Sequence, residues 1–163
     1  MSSLRGFQTA LLVGLAIVLA GCGFQLRGSA ALPPELDALN LGIPENHPLA
    51  RELSTLLSAS GRQVVAPDKA TAQLQFEQNN LLRDVQSVGA TARVREFALR
   101  YNVSFRVVSA DGREIQPLTS LEIYRDYTFD QGQVLGAASE EEFLRDEMTR
   151  EMANRILRSL SSG

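Results

Sequence analysis

The feature that most restricts the fold is the alternation running through residues 94–107. Phe97, Leu99, Tyr101, Val103, Phe105 and Val107 share one phase, while Arg100, Asn102, Ser104 and Arg106 occupy the other. A period of two sends successive side chains to opposite faces of a strand, so one face is buried and the other is wet. Asp111-Gly112 comes next, a dipeptide that suits a tight hairpin turn because glycine accepts positive φ. The returning strand sets Leu121, Ile123, Tyr127 and Phe129 in one phase. The chain is thereby committed to an unusually long antiparallel hairpin with one apolar face that other elements must cover. Arg125 falls in the apolar phase of the return strand, where a bulge that shifts the phase is the favoured reading. The alternative is a charged group aimed at a specific partner.

The remaining elements supply that cover. Leu39, Leu41 and Ile43 alternate within residues 36–43, which predicts a first strand. His47-Pro48 can open a helix, since proline fits the first helical position, and Leu49, Leu53, Leu56 and Leu57 make one apolar stripe. Gly61 is placed to end it, and His47 reads as a surface or capping residue with no chemistry of its own. A short strand is expected near residues 63–65. Another carries Leu74 and Phe76 between Gln73, Gln75 and Glu77 and runs on toward Leu82. Ser139 and Glu142 have the spacing of a capping box, with Glu140 and Glu141 adding charge at the positive end of a helix dipole. Leu144, Met148, Met152, Ile156 and Leu160 form the stripe of that second helix. The expected fold is α+β, a two-layer sandwich of a four-stranded, mostly antiparallel sheet with two helices on one face.

Ahead of this domain lies a different kind of sequence. Arg5 supplies a positive start and residues 10–20 are mostly apolar, the layout of a secretory signal and too short to span a membrane. Leu19-Ala20-Gly21-Cys22 then matches a bacterial lipobox, in which small residues enter the peptidase cleft and the cysteine is acylated. Cys22 is the only cysteine, so no disulfide within the chain competes for its thiol. Two or three acyl chains on such a cysteine anchor a protein almost permanently. Gly23 stands where an aspartate would signal retention in the inner membrane, so the outer membrane is the expected location. The expected organisation is a cleaved signal peptide over residues 1–21, a lipidated tether over 22–34, and one periplasmic domain over 35–163.

The chemistry usual in enzymes is sparse. One histidine and one acylated cysteine make no zinc set, no Cys–His pair and no Ser-His-Asp triad, and no phosphate-cradling glycine loop occurs. The run Glu140-Glu141-Glu142 points three ways around a helix, so capping explains it better than catalysis. No cofactor is expected. A net charge of −3 over 163 residues gives none of the broad positive field that holds a protein to nucleic acid.

The string Cys22-Gly23-Phe24-Gln25-Leu26-Arg27-Gly28 continues past what a lipobox specifies. Leu-Pro-Pro follows at 32–34, then Arg125-Asp126-Tyr127-Thr128-Phe129-Asp130, Val134-Leu135-Gly136, and a Glu-rich helix start running through Glu147-Met148. In this order and spacing the chain resembles the LptE family of lipopolysaccharide-assembly lipoproteins across nearly all of its mature length. That resemblance implies a two-helix, four-stranded domain sitting as a plug inside the outer-membrane barrel LptD. There it would assist barrel assembly and the insertion of lipopolysaccharide, with no catalytic residues. Lipopolysaccharide phosphates need positive partners, and the chain's basic residues are nearly all arginine, whose planar fork suits phosphate. Arg93 and Arg95, two apart at the start of the long strand, are the candidate contacts. Two other readings are an auxiliary lipoprotein of another envelope lipid-transport system, which would copurify with a transporter and no LptD, and an exported carboxylate hydrolase.

Overall fold

A computed structural model of the protein describes residues 32–88, 94–130 and 134–162. The chain enters on a short 3₁₀ turn at Pro34–Leu36 and forms β1 (Ala38–Asn40), α1 (Pro48–Ala59) and β2 (Gln63–Val64). Three long strands follow, β3 (Ala72–Val88), β4 (Val94–Ser109) and β5 (Glu114–Asp130), and α2 (Val134–Leu160) ends the domain. The fold is α+β, as expected, but the sheet has five strands and not four, in the order β2-β1-β3-β4-β5. β1 pairs in parallel with both β2 and β3, while β3–β4 and β4–β5 are antiparallel. The first strand is shorter than its alternation suggests. Gly42 takes φ +61°, and the carbonyl of Leu74 lies 2.4 Å from where a β-carbon would stand, so the chain bends away there.

Alternation governs the hairpin as predicted. Phe97, Leu99, Tyr101, Val103, Phe105 and Val107 are all buried on the face that the helices cover. In β3 the phase does not hold, because the register shifts between Phe76 and Gln78. One extra residue moves every later side chain to the opposite face. Leu82, toward which the strand was expected to run, therefore points outward from the sheet and is half exposed.

Both helices obey their stripes. His47 caps α1, its Nδ1 accepting from the Leu49 amide at 3.1 Å, with Pro48 at the first position. Gly61, at φ +75°, closes it: its amide donates to Ser58 and that of Arg62 to Leu57, the paired bonds of a Schellman end. Met148, Met152, Ile156 and Leu160 are buried with Leu49, Leu53 and Leu57 in one core. Each large apolar side chain so placed contributes about 1.5–3 kcal/mol. The capping box does not form, since α2 begins at Val134 and Ser139 lies within the helix. The helix already runs through residues 134–138, so Ser139 stands inside a turn and not at its end. Among the described residues no helix is long and apolar enough to cross a membrane.

Candidate functional site

The three long strands outrun β1, β2 and α1. A strand rising about 3.3 Å per residue makes β3, with 17 residues, roughly 55 Å long. One end of the sheet is packed by α1 and the short strands, whereas among the described residues the other is covered by α2 alone. The ion pairs between the sheet and α2, Arg83–Glu141 and Arg125–Glu151, lie toward this second end.

At its centre is Glu141 on α2. Its carboxylate accepts from the Tyr127 hydroxyl, from Arg83 at 3.2 Å and from Arg145 at 2.8 Å. Arg83 also lies 3.8 Å above the ring of Phe97, which stacks on Tyr127 at 5.6 Å. Burial pushes the Glu141 carboxyl up, but the bonds from Tyr127 and Arg145 and the charge of Arg83 outweigh it, so its pKa is lowered. Tyr127 is driven up to about 12 by burial and then by the carboxylate beside it. The group is a self-satisfied clamp in which the arginines already hold their counterion. The sequence signal for half of it is the Glu141–Arg145 spacing of one helical turn. The reach of Arg83 and Tyr127 depends on register.

A second clamp lies two residues further in along β5. Arg125 bonds Glu151 at 2.6 Å, and Glu151 also holds Arg155 at 2.7 Å. The bulge expected at Arg125 is absent, because β4–β5 pairing is regular from Val94↔Asp130 through Leu99↔Arg125 to Phe105↔Thr119. Arg125 belongs to the inward phase and is tolerated there because Glu151 answers its charge at the rim of the core. Irregularities in this pair fall later, around Val107.

Between α1 and α2 a cleft of about 300 Å³ opens, with Tyr101 at its base and His47, Asn79, Arg145 and Thr149 on its walls. The Tyr101 hydroxyl donates to Asn79 at 2.9 Å, and burial raises its pKa to about 12. His47 has its Nδ1 committed to the helix cap, so that nitrogen is not free as a base. Among the described residues no three His, Cys, Asp or Glu side chains gather to hold a metal ion.

Of the residues singled out in the sequence, Cys22 and Arg93 lie outside the described residues. Arg95 contributes backbone to β4, opposite Val88 and Phe129, near the end of the sheet away from α1.

The profile of the LptE family, described as lipopolysaccharide assembly, matches residues 36–160. The LPS-assembly lipoprotein LptE of Photorhabdus laumondii is 31% identical over 153 residues, covering 92% of this chain and 83% of that protein. The protein of that name in Yersinia enterocolitica is 32% identical over 154 residues, covering 92% and 73%. Among solved structures, lipoprotein B of Nitrosomonas europaea superposes with a TM-score of 0.70 at 29% identity, covering 86% of this chain and 91% of that one. The rare lipoprotein B of Shewanella oneidensis gives 0.64 at 30% identity, covering 77% and 94%. The matched stretch runs from the residue that ends the first turn to the last residue of α2, and so takes in every strand and both helices. On that agreement of sequence and fold, the chain belongs to the LptE family.

Proposed function

We propose that this protein is a lipoprotein of the outer membrane, held by acyl chains on Cys22, whose domain plugs an LptD-like barrel and assists lipopolysaccharide assembly. The observation that carries the reading is the family match over residues 36–160 behind an intact lipobox. The relatives from Photorhabdus and Yersinia bear the name LPS-assembly lipoprotein. The role is non-enzymatic and needs no cofactor. It agrees with a structure whose inward polar groups are spent on one another: Glu141 on two arginines and a tyrosine, and Glu151 on two arginines.

Arg93 and Arg95 are the proposed lipopolysaccharide contacts, Arg95 belonging to the first residues of β4. The deciding experiment is a pull-down of the full chain from detergent-solubilised outer membranes. Recovery of an LptD-like barrel supports the reading, and recovery of a different lipid transporter with no such barrel overturns it. Mass spectrometry of the mature protein should find acyl chains on Cys22. An unmodified thiol, or an N-terminus elsewhere, would remove the anchor. With the barrel still copurifying, Arg93→Glu with Arg95→Glu should weaken binding of purified lipopolysaccharide; unchanged binding takes these residues out of the site.

A further inference from the structure

The cleft between α1 and α2 holds the chain's single histidine, and the hydrogens there can be counted. His47 accepts the Leu49 amide at Nδ1, so that nitrogen keeps its lone pair and the hydrogen of the neutral ring sits on Nε2. Nε2 lies 3.4 Å from the side-chain amide of Asn79. With Tyr101 donating to the oxygen end of that amide, the NH₂ end faces Nε2–H and two donors meet. The two ends of an amide are told apart only by their partners, and half a turn removes the conflict. The Asn79 oxygen then accepts from Nε2, and its nitrogen donates to the Tyr101 oxygen across the same 2.9 Å.

That order leaves one hydrogen over. Tyr101 is only 2% exposed, and Asn79 is the one side chain bonded to its hydroxyl among the described residues. Once the oxygen accepts from Asn79, the O–H is an unspent donor at the base of the cleft, a position where a missing acceptor is costly. The remaining walls indicate what meets it. Pro48 and Leu81 offer hydrocarbon. On the open side stand Glu142 and Asp146, one helical turn apart on α2, both exposed and in no ion pair among the described residues. Arg145 also lines the cleft, but Glu141 already answers its charge. The mouth is negative, and the base calls for an acceptor.

We propose that this cleft binds a small organic cation, with an oxygen at its inner end accepting from Tyr101, an apolar body against Pro48 and Leu81, and an ammonium group outside beside Glu142 and Asp146. A volume of about 300 Å³ admits one ring with a short arm. The site is separate from the proposed lipopolysaccharide contacts, since these two carboxylates repel phosphate.

The test is nuclear magnetic resonance of the untagged full chain in a maltoside detergent, where the single imidazole gives one set of ring signals. Its nitrogen shifts should report the Nε2–H tautomer; the Nδ1–H tautomer overturns the proposal. Tyramine, which joins an aryl oxygen to an ammonium group, should move the ring signals saturably at millimolar concentration. Phenethylamine, which lacks the oxygen, should bind about fivefold more weakly, the scale of one net hydrogen bond. 4-Hydroxyphenylacetate, with the charge reversed, should bind more weakly still. Y101F should lower the affinity for tyramine about fivefold and leave that for phenethylamine unchanged, a coupling that a damaged fold does not imitate. E142Q with D146N should bring tyramine and the acid level. Absence of a saturable shift with tyramine overturns the proposal, as does equal binding of tyramine and phenethylamine, or of tyramine and the acid, by the unaltered chain. If Y101F does not fold, those three ligands on the unaltered chain still decide.

Discussion

The two ends of the long sheet are built on different physics. Where α1, β1 and β2 join, the interior is leucine on leucine: Leu39, Leu49, Leu53, Leu57 and Leu74 are fully buried around Phe105, which meets Phe76 at 6.3 Å. Toward the other end these elements are gone, α2 is the sole cover among the described residues, and stacked Phe97–Tyr127 with the Glu141 clamp takes the place of an apolar core. Burial of apolar area is non-directional and accumulates, whereas charge clamps near a surface each add little and depend on geometry. The packed end should therefore carry most of the stability. The clamped end holds its shape through few, specific contacts.

The contrast breaks most sharply at Phe105. Phe105→Ala removes a ring with no exposure at the packed end and should cost about 3–5 kcal/mol, read as a large drop in melting temperature. A curve that overlays the parent would show the stability to lie elsewhere. Gly42→Ala should rank next, at about 1–3 kcal/mol, because positive φ and the Leu74 carbonyl both oppose a β-carbon. Gly61→Ala shares the positive φ but has open space around it, so it should cost visibly less in parallel denaturant titrations. Equal losses would mean that the close approach to Leu74 is relieved by a small backbone shift.

At the clamped end the effects shrink. Glu141→Gln keeps the shape but removes the counterion of Arg83 and Arg145, and should cost about 1 kcal/mol, the scale of partly exposed ion pairs. A loss matching that of Phe105→Ala would erase the distinction between the ends. Arg125→Ala should change stability least and association most, since it frees the Tyr124 carbonyl on β5. Sedimentation that stays monomeric at high concentration would show that the arginine does not guard that edge.

The clamp also sets a pH signature. The folded pKa of Glu141 is lowered, so its contribution is present above the ordinary carboxylate value of 4.5 and is lost as pH falls through the folded value. Tyr127 and Tyr101 are raised from 10.0 to about 12, so the fold favours their neutral forms and loses stability as pH rises from 10 toward 12. Glu141→Gln should flatten the acid limb of a stability–pH profile and leave most of the alkaline limb, which Tyr101 retains through burial. An acid limb identical to the parent's would assign acid unfolding to other carboxylates.

What local sequence determined is whatever depends on period and on chemistry a few residues apart. Alternation placed Phe97 through Val107 on the buried face, the leucine and methionine stripes oriented both helices, and His47, Pro48 and Gly61 fixed the ends of α1. Tertiary structure decided what depends on register between distant segments. The extra residue after Phe76 turned Leu82 outward, an event that no count along β3 reveals because bulged and regular strands have the same composition. Arg125 looked like a phase error until Glu151, 26 residues away on α2, stood opposite it. Ser139 carried a valid cap signal that the helix overran, since a cap competes with the residues upstream of it and with the packing of the whole helix. Which edge of the sheet is guarded was settled last of all. Edge exposure is a property of strand order, and strand order is fixed only when β1 finds its place beside β3.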